Sequence, residues 1–268
     1  MADDRVLLDV RDGVGYVTLN RPDKRNGLDL PTFRALVSTA RRVRADRSVR
    51  AVIMTGAGPS FCAGLDFAAM GRISASAQAR AFAKLPGQPT NLFQRACWAW
   101  RTVPVPVVAV TQGHCFGGGF QLALAADFRF ATPDCEFSVM EAKWGLIPDM
   151  TGSVTLRELV PIDVAKRLAM TAEVFDGRQA LEYGLVTGVS DEPLKDAEAL
   201  VAEIVARSPD AVAYTKRLFQ TTWTRAPRWA LWTESVLQGR LMTGANHKIA
   251  RKAGMSKELP RYVPRRVR

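Results

Sequence analysis

Three consecutive glycines, Gly117-Gly118-Gly119, sit between His114-Cys115-Phe116 and Phe120-Gln121, directly after the apolar run Val105-Pro106-Val107-Val108-Ala109-Val110. Glycine lets a backbone approach a ligand closely, and the first turn of a following helix leaves its N–H groups without internal partners. Backed by the helix dipole, such N–H groups suit either a bound phosphate or an oxygen that becomes negative during a reaction. A glycine turn required only for close helix–strand packing would read the same way. A second junction of this kind follows the strand-like run Ala51-Val52-Ile53-Met54-Thr55, in Gly56-Ala57-Gly58-Pro59-Ser60-Phe61-Cys62-Ala63-Gly64-Leu65-Asp66. Two strand-to-glycine junctions can aim two backbone N–H donors at one oxygen, which is how an oxyanion hole is built. Neither junction fits the dinucleotide fingerprint, because Phe61 and Leu122 stand where that motif needs glycine or alanine. A Gly-Lys-Ser/Thr phosphate loop and a Gly-x-Ser-x-Gly nucleophile elbow are both absent from the sequence.

The elements that must position these turns alternate. Val6–Val10 and Val14–Leu19 read as a hairpin across Asp12-Gly13, followed by a turn-rich connection over 20–30. Phe33, Leu36, Val37, Ala40 and Val43 fall on one helical face, and the strand at 51–55 comes next. Residues 66–102 read as two helical pieces broken near Pro86-Gly87-Gln88-Pro89, a flap over a pocket. Short strands at 128–131 and 136–139 flank a Pro133-Asp134 turn. A helix over Arg178–Tyr183 ends at Gly184, and Leu185–Val189 returns as a strand. This is the pattern of an α/β core. From about Leu194 onward the reading is helical: Leu194, Ala197, Val201, Ile204 and Val205 share a face, and Ser208-Pro209 supplies an N-cap followed by a first-turn proline. Trp223, Trp229 and Trp232 concentrate aromatic surface late in the chain, either for a partner or for the chain's own core.

The 268 residues suffice for one large core with a helical appendage. No apolar stretch approaches the ~20 residues of a membrane-spanning helix, and Met1-Ala2-Asp3-Asp4-Arg5 does not read as a secretion signal. Cys62, Cys97, Cys115 and Cys135 lack paired spacing, so the expectation is reduced thiols, no metal site and a cytoplasmic protein. The net charge of +11 is uneven. Seven basic residues fall between Arg251 and Arg268 against Glu258 alone, which fits a polyanionic substrate, nucleic acid or an anionic surface. Residues 255–268 are expected to be a solvated basic tail.

Leu19-Asn20-Arg21-Pro22 with Asn26, Ser60-Phe61-Cys62-Ala63-Gly64-Leu65-Asp66, and Gly117-Gly118-Gly119 followed by Asp127 resemble the enoyl-CoA hydratase/isomerase family, the crotonases, in order and spacing. The resemblance runs from about residue 5 to the C-terminal helices. It implies a crotonase-like spiral of strand-strand-helix units over residues 1–195. A C-terminal helical segment over 196–268 would then build a homotrimer, often stacked into hexamers. It further implies an acyl-CoA substrate, with coenzyme A entering as part of that substrate and no prosthetic group. By position, the N–H groups of Leu65 and Gly118 would hold the thioester oxygen. Lys24 and Arg25 would meet the coenzyme A phosphates, while Ala63, Asp66 and Gly117 would line the cofactor's path.

The acid–base set departs from the hydratase pattern. Where hydratases carry a first glutamate this chain has Gln121, and the second position is Glu141. Glutamine orients water or a carbonyl but accepts no proton at neutral pH. Glu141 remains a fit general base, tuned by burial beside Met140 and Trp144. Asp149, eight residues on, matches the aspartate that dienoyl-CoA isomerases resemble at this position, and could equally cap the helix after Thr151. One carboxylate can remove a proton at one carbon and return it at another. The expectation is therefore double-bond isomerisation by Glu141, with 2-enoyl-CoA hydration through an oriented water as the alternative. Thioester hydrolysis and decarboxylation are further family chemistries. A basic nucleic-acid-binding protein that keeps the scaffold with little catalysis is a separate class, and no recognition-helix or aromatic RNA-binding motif supports it. Asp127 and His247 are expected to be structural, and His114 to lie behind the site.

Overall fold

The computed structural model describes residues 4–84 and 86–267; Met1–Asp3 of the segment read above as no secretion signal, and Arg268 of the basic tail, lie outside the described residues. Strands β1 (Val6–Arg11) and β2 (Val14–Leu19) pair antiparallel, with Arg11 opposite Val14. A 3-10 turn, Pro22–Lys24, leads to α1 (Leu30–Ala45). Its N-cap Asp29 accepts a 2.9 Å bond from the Thr32 N–H. Phe33, Leu36, Val37, Ala40 and Val43 are all buried, as the 3.6-residue spacing predicts. Full burial of one such large apolar side chain stabilises by about 1.5–3 kcal/mol.

β3 (Ala51–Gly56) then runs parallel to β2. Three helices follow where two were expected: α2 (Phe67–Met70), α3 (Ala75–Phe82) and α4 (Leu92–Thr102), the last two on either side of Pro86–Pro89. β4 (Val107–Thr111) gives way to β5 (His114–Phe116), and only then to the glycine turn and α5 (Gly118–Leu124). β6 (Phe128–Ala131) and β7 (Glu136–Ser138) come next, then α6 (Gly152–Leu159), α7 (Ile162–Thr171) and α8 (Gly177–Glu182). The strand expected over 185–189 shrinks to β8 (Gly188–Val189). Leu185 instead turns its carbonyl to the buried Arg129 guanidinium.

Among the described residues one sheet has the order β1-β2-β3-β4-β6-β8, parallel beyond the first pair, and a second contains only β5 and β7. β6 and β7, expected around one turn, thus belong to different sheets. Each unit β4-β5 and β6-β7 gives one strand to each layer, which winds the chain into a coil. Single bridges extend the second layer in both directions: Leu28 to Leu65, Cys62 to Cys115, and Phe137 to Phe175. That layer carries both glycine turns.

β3 and β4 are buried on both faces, the usual state of parallel strands. Val52, Met54, Val107 and Ala109 join the core that includes α1 and α4, while Ile53, Val108 and Val110 face α9 (Pro193–Val205) through Ala197 and Val201. The division at 195/196 therefore falls inside a helix packed on the sheet. α10 (Pro209–Thr222), α11 (Pro227–Met242) and α12 (Ala245–Ser256) complete the chain, with Ser208 capping α10 as expected.

The basic tail is not solvated throughout. Arg265 is 1% exposed, and its guanidinium donates to the carbonyls of Val43, Arg44, Asp46 and Val49 at the C-terminal end of α1. The backbone N–H groups of Arg266 and Val267 bond the buried Asp210 carboxylate, which also accepts from Asn246. An arginine finds here what a helix C-terminus offers, carbonyls without partners and the negative end of the dipole.

Candidate active site

The site is assembled from backbone first. Gly117 has φ +50°, a conformation that favours glycine, and its N–H donates to the Ser138 carbonyl at 2.9 Å. The segment around Gly64 lies against this turn. Gly64 has φ +88°, and a Cβ on it would stand 2.9 Å from the Phe116 carbonyl oxygen. Close tethers hold the two together: Cys62 N–H to His114 O at 2.9 Å, Phe116 N–H to Cys62 O at 3.0 Å, and Leu28 N–H to Gly64 O at 2.8 Å. Among the described residues, no group accepts from the N–H of Leu65 or of Gly118.

Glu141 lies on a 3-10 turn, Met140–Trp144, that follows β7. Its side chain is buried against the glycine turn, since a Cβ on Gly117 would sit 3.4 Å from Glu141 Oε1. Oε1 accepts a 2.6 Å bond from Gln121 Nε2, while Oε2 is buried without a hydrogen-bond partner. Burial pushes the Glu141 carboxyl above the usual carboxylate range. Its own N–H and the Gln121 amide pull it back, and the charge of Asp149 adds to the rise.

Gln121 is engaged at both ends. Its carbonyl oxygen accepts from Met150 N–H at 2.8 Å and Gly152 N–H at 2.9 Å. Between them Thr151 has φ +85°, an outlier for a β-branched residue, so the Gln121 amide braces a strained loop while orienting the carboxylate. Asp149, on that loop, is exposed; partial burial of its carboxyl raises its pKa. It caps nothing: the N-cap position of α6 is Thr151, and no side chain there bonds the helix.

The remaining sequence candidates fall into one cluster. Arg25 accepts at its carbonyl from Ala63 N–H at 2.9 Å, which places exposed Lys24 and Arg25 beside the 63–66 segment. Asp66 has both carboxylate oxygens occupied, one by Ala69 N–H at the start of α2 and the other by Arg21 at 3.0 Å. Trp144, expected to bury Glu141, is 54% exposed and packs at a tilt against Phe67. His114 Nδ1 meets Ser60 Oγ at 2.9 Å and its Nε2 lies 3.6 Å from Glu136. This chain has a hydrolytic triad's composition, but Ser60 is sealed in the core. The thiols are buried too, with Cys62 and Cys135 each pushed up to about 12, which keeps them as thiols. No group of three or more His, Cys, Asp or Glu among the described residues could hold a metal ion.

Two residues of structural weight escaped the sequence reading of roles. Asn26 is buried and donates to the carbonyls of Ala57 and Ser60, at 2.9 and 2.8 Å, which shapes the first glycine loop. Arg21 reaches Asp66 and the Gly27 carbonyl. Their only signal was the motif Leu19-Asn20-Arg21-Pro22 and the Asn26 that accompanies it. Phe67 gave no signal beyond its place two residues after Leu65.

A coil of strand-strand-helix units with glycine turns on successive windings, closed by C-terminal helices, defines the crotonase class. The family model described as enoyl-CoA hydratase/isomerase matches residues 9–262. The chain belongs to the enoyl-CoA hydratase/isomerase family, as an enzyme acting on CoA thioesters. It is 34% identical over 216 residues to the (E)-benzylidenesuccinyl-CoA hydratase of Thauera aromatica, covering 79% of this chain and 80% of the relative. It is likewise 34% identical over 221 residues to the carnitinyl-CoA dehydratase of Proteus mirabilis, covering 80% of each. The crystal structure of an enoyl-CoA hydratase from Mycobacterium tuberculosis superposes with a TM-score of 0.86 at 29% identity, over 97% of this chain and 99% of that one.

Proposed function

We propose that the protein moves a carbon–carbon double bond within an acyl-CoA thioester, with Glu141 as the single proton carrier. The observation that supports this reading is the state of Gln121. It occupies the place of a second carboxylate and spends its amide on Glu141 and on the 150–152 backbone. The thioester oxygen accepts from the N–H groups of Leu65 and Gly118. The Glu141 carboxylate takes a proton from C2 of a 3-enoyl thioester, and the electron pair moves onto the oxygen as a dienolate. The same carboxyl returns the proton at C4, leaving the 2-enoyl thioester. Removing one oxyanion donor typically costs ~10²–10³ in rate. In this reading Lys24 and Arg25 meet the coenzyme A phosphates, and Ala63, Asp66 and Gly117 line the cofactor's path.

Hydration of a 2-enoyl-CoA, with Glu141 and an oriented water, is the second reading, favoured by relatives named as a hydratase and a dehydratase. Mass spectrometry of 3-enoyl-CoA and 2-enoyl-CoA incubated in D₂O separates the two. Conversion of 3-enoyl-CoA to 2-enoyl-CoA, read by chromatography, with no added water is the expected result, with deuterium on carbon to the extent that the carboxyl exchanges with solvent. A product heavier by one D₂O establishes hydration instead. Both substrates recovered with neither added water nor a moved double bond overturns both readings.

The same proposal includes assembly as a homotrimer or hexamer. In α11 only Leu237 is buried, while Trp229, Leu231 and Trp232 are exposed, as are Phe219 and Trp223 of the preceding segment. The late tryptophans thus do not fill the chain's own core, and an apolar surface of this kind is covered in assemblies.

A further inference from the structure

Phe67 and Trp144 come from the two segments that carry Leu65 and Glu141, and their rings meet. Phe67 opens α2 two residues beyond Leu65, and Asp66 pins that point through Arg21 and the Ala69 N–H. Trp144 ends the 3-10 turn that carries Glu141. In a 3-10 helix side chains at i and i+3 eclipse, with a rise of about 2 Å per residue. The indole therefore stands on the Glu141 side of the turn, roughly 6 Å further along its axis. The two ring centroids are 4.5 Å apart at an interplanar angle of 39°, yet Phe67 is 41% and Trp144 54% exposed. Leu146 and Ile147, just after the turn, are exposed as well.

A large aromatic pair left half in water beside a buried carboxylate is an unfilled contact surface. The main core does not include it. Ring faces and edges attract other rings in offset or edge-on geometry, worth about 0.5–1.5 kcal/mol beyond the area buried. An alkyl chain of equal size gains the area alone. We propose that Phe67 and Trp144 form the seat for the far end of the acyl group, and that they select acyl-CoA thioesters ending in an aryl ring. This rests on the acyl-thioester reading above: the carbonyl on the Leu65 and Gly118 N–H groups and the reacting carbons at Glu141 leave the acyl tail running outward past Trp144. The pair selects substrate and takes no part in proton transfer.

Binding measured without turnover tests the seat. Calorimetric titration of Glu141→Gln protein compares cinnamoyl-CoA, which ends in a phenyl ring, with trans-2-octenoyl-CoA of similar apolar size. The cinnamoyl thioester is expected to bind about three- to tenfold more tightly, the worth of one ring–ring contact. Phe67→Leu and Trp144→Leu keep the surface apolar and remove the rings. Each is expected to erase most of that ratio while octenoyl-CoA affinity changes less than twofold, and melting curves establish that each variant is folded. Equal affinities in the parent protein, or a ratio that survives in the double variant, overturns aryl selection and leaves the proton-transfer proposal standing. Binding of neither thioester overturns both.

Discussion

Glu141 is an acid in a place that disfavours its charge, and the pH dependence follows from that. Burial raises its pKa in the folded chain above the ordinary carboxylate value it has when unfolded. Between those two values the folded state holds the proton and the unfolded state has lost it, so stability falls as pH rises through the window. Below the ordinary carboxylate value both states are protonated and the effect vanishes. Glu141→Gln is therefore expected to melt higher than the parent at pH 8, with the difference closing at pH 3. In the proposed role of base Glu141 must be ionised, so the acid limb of kcat/KM is expected above the ordinary carboxylate range, and Glu141→Gln is expected to lose about 10²–10⁴ in rate. Thermal melts and a pH–rate profile check the two statements separately. The sequence alone showed that position 121 carries no acid. That the Gln121 amide would also brace Met150 and Gly152 was hidden, because those partners lie about thirty residues on and meet it only in the fold.

Elements hold the site through a few buried polar ties. Lys216 of α10 is buried and donates to Asp127 at 2.7 Å and to the Val105 carbonyl at 2.8 Å; Asp127 also accepts from Val107 N–H at the start of β4. Asp127 is thus structural, as the sequence reading expected. Lys216→Met leaves a carboxylate with its main partner gone, and breaking such a pair typically costs about 3–5 kcal/mol. Urea unfolding is expected to show a loss of this size, partly restored when Asp127→Asn is added, since the two residues share one interaction. Long periodic elements were legible beforehand: α1 by its apolar face, α10 by its Ser208-Pro209 cap. The three-residue strand β5 was not, because three residues cannot display a period; β7 was read as a strand, but its pairing with β5 depends on contacts between distant segments. The same holds for Trp144, whose neighbour Phe67 lies on another element.

At the scale of the whole molecule the chain's last residues return to its first helix. Arg265 satisfies carbonyls at the end of α1, 219 to 222 residues earlier in the chain. Read from sequence, an arginine among six other cations looks solvated; burial came from the carbonyls waiting for it, which no local pattern records. Arg265→Met is expected to lower stability by about 2–4 kcal/mol, measured by denaturant unfolding, because several of those carbonyls lose their partner. The coil has a further consequence. Leu65 and Gly118 sit on consecutive windings, joined by backbone pairing of Cys62 with Cys115 and not by any shared strand of the large sheet. If these two N–H groups bind the thioester oxygen as proposed, a chain whose two windings have not yet docked lacks that pair, whatever helices it has formed. In a refolding experiment turnover is therefore expected to lag behind helix formation, making catalysis a clock for the docking of these two windings.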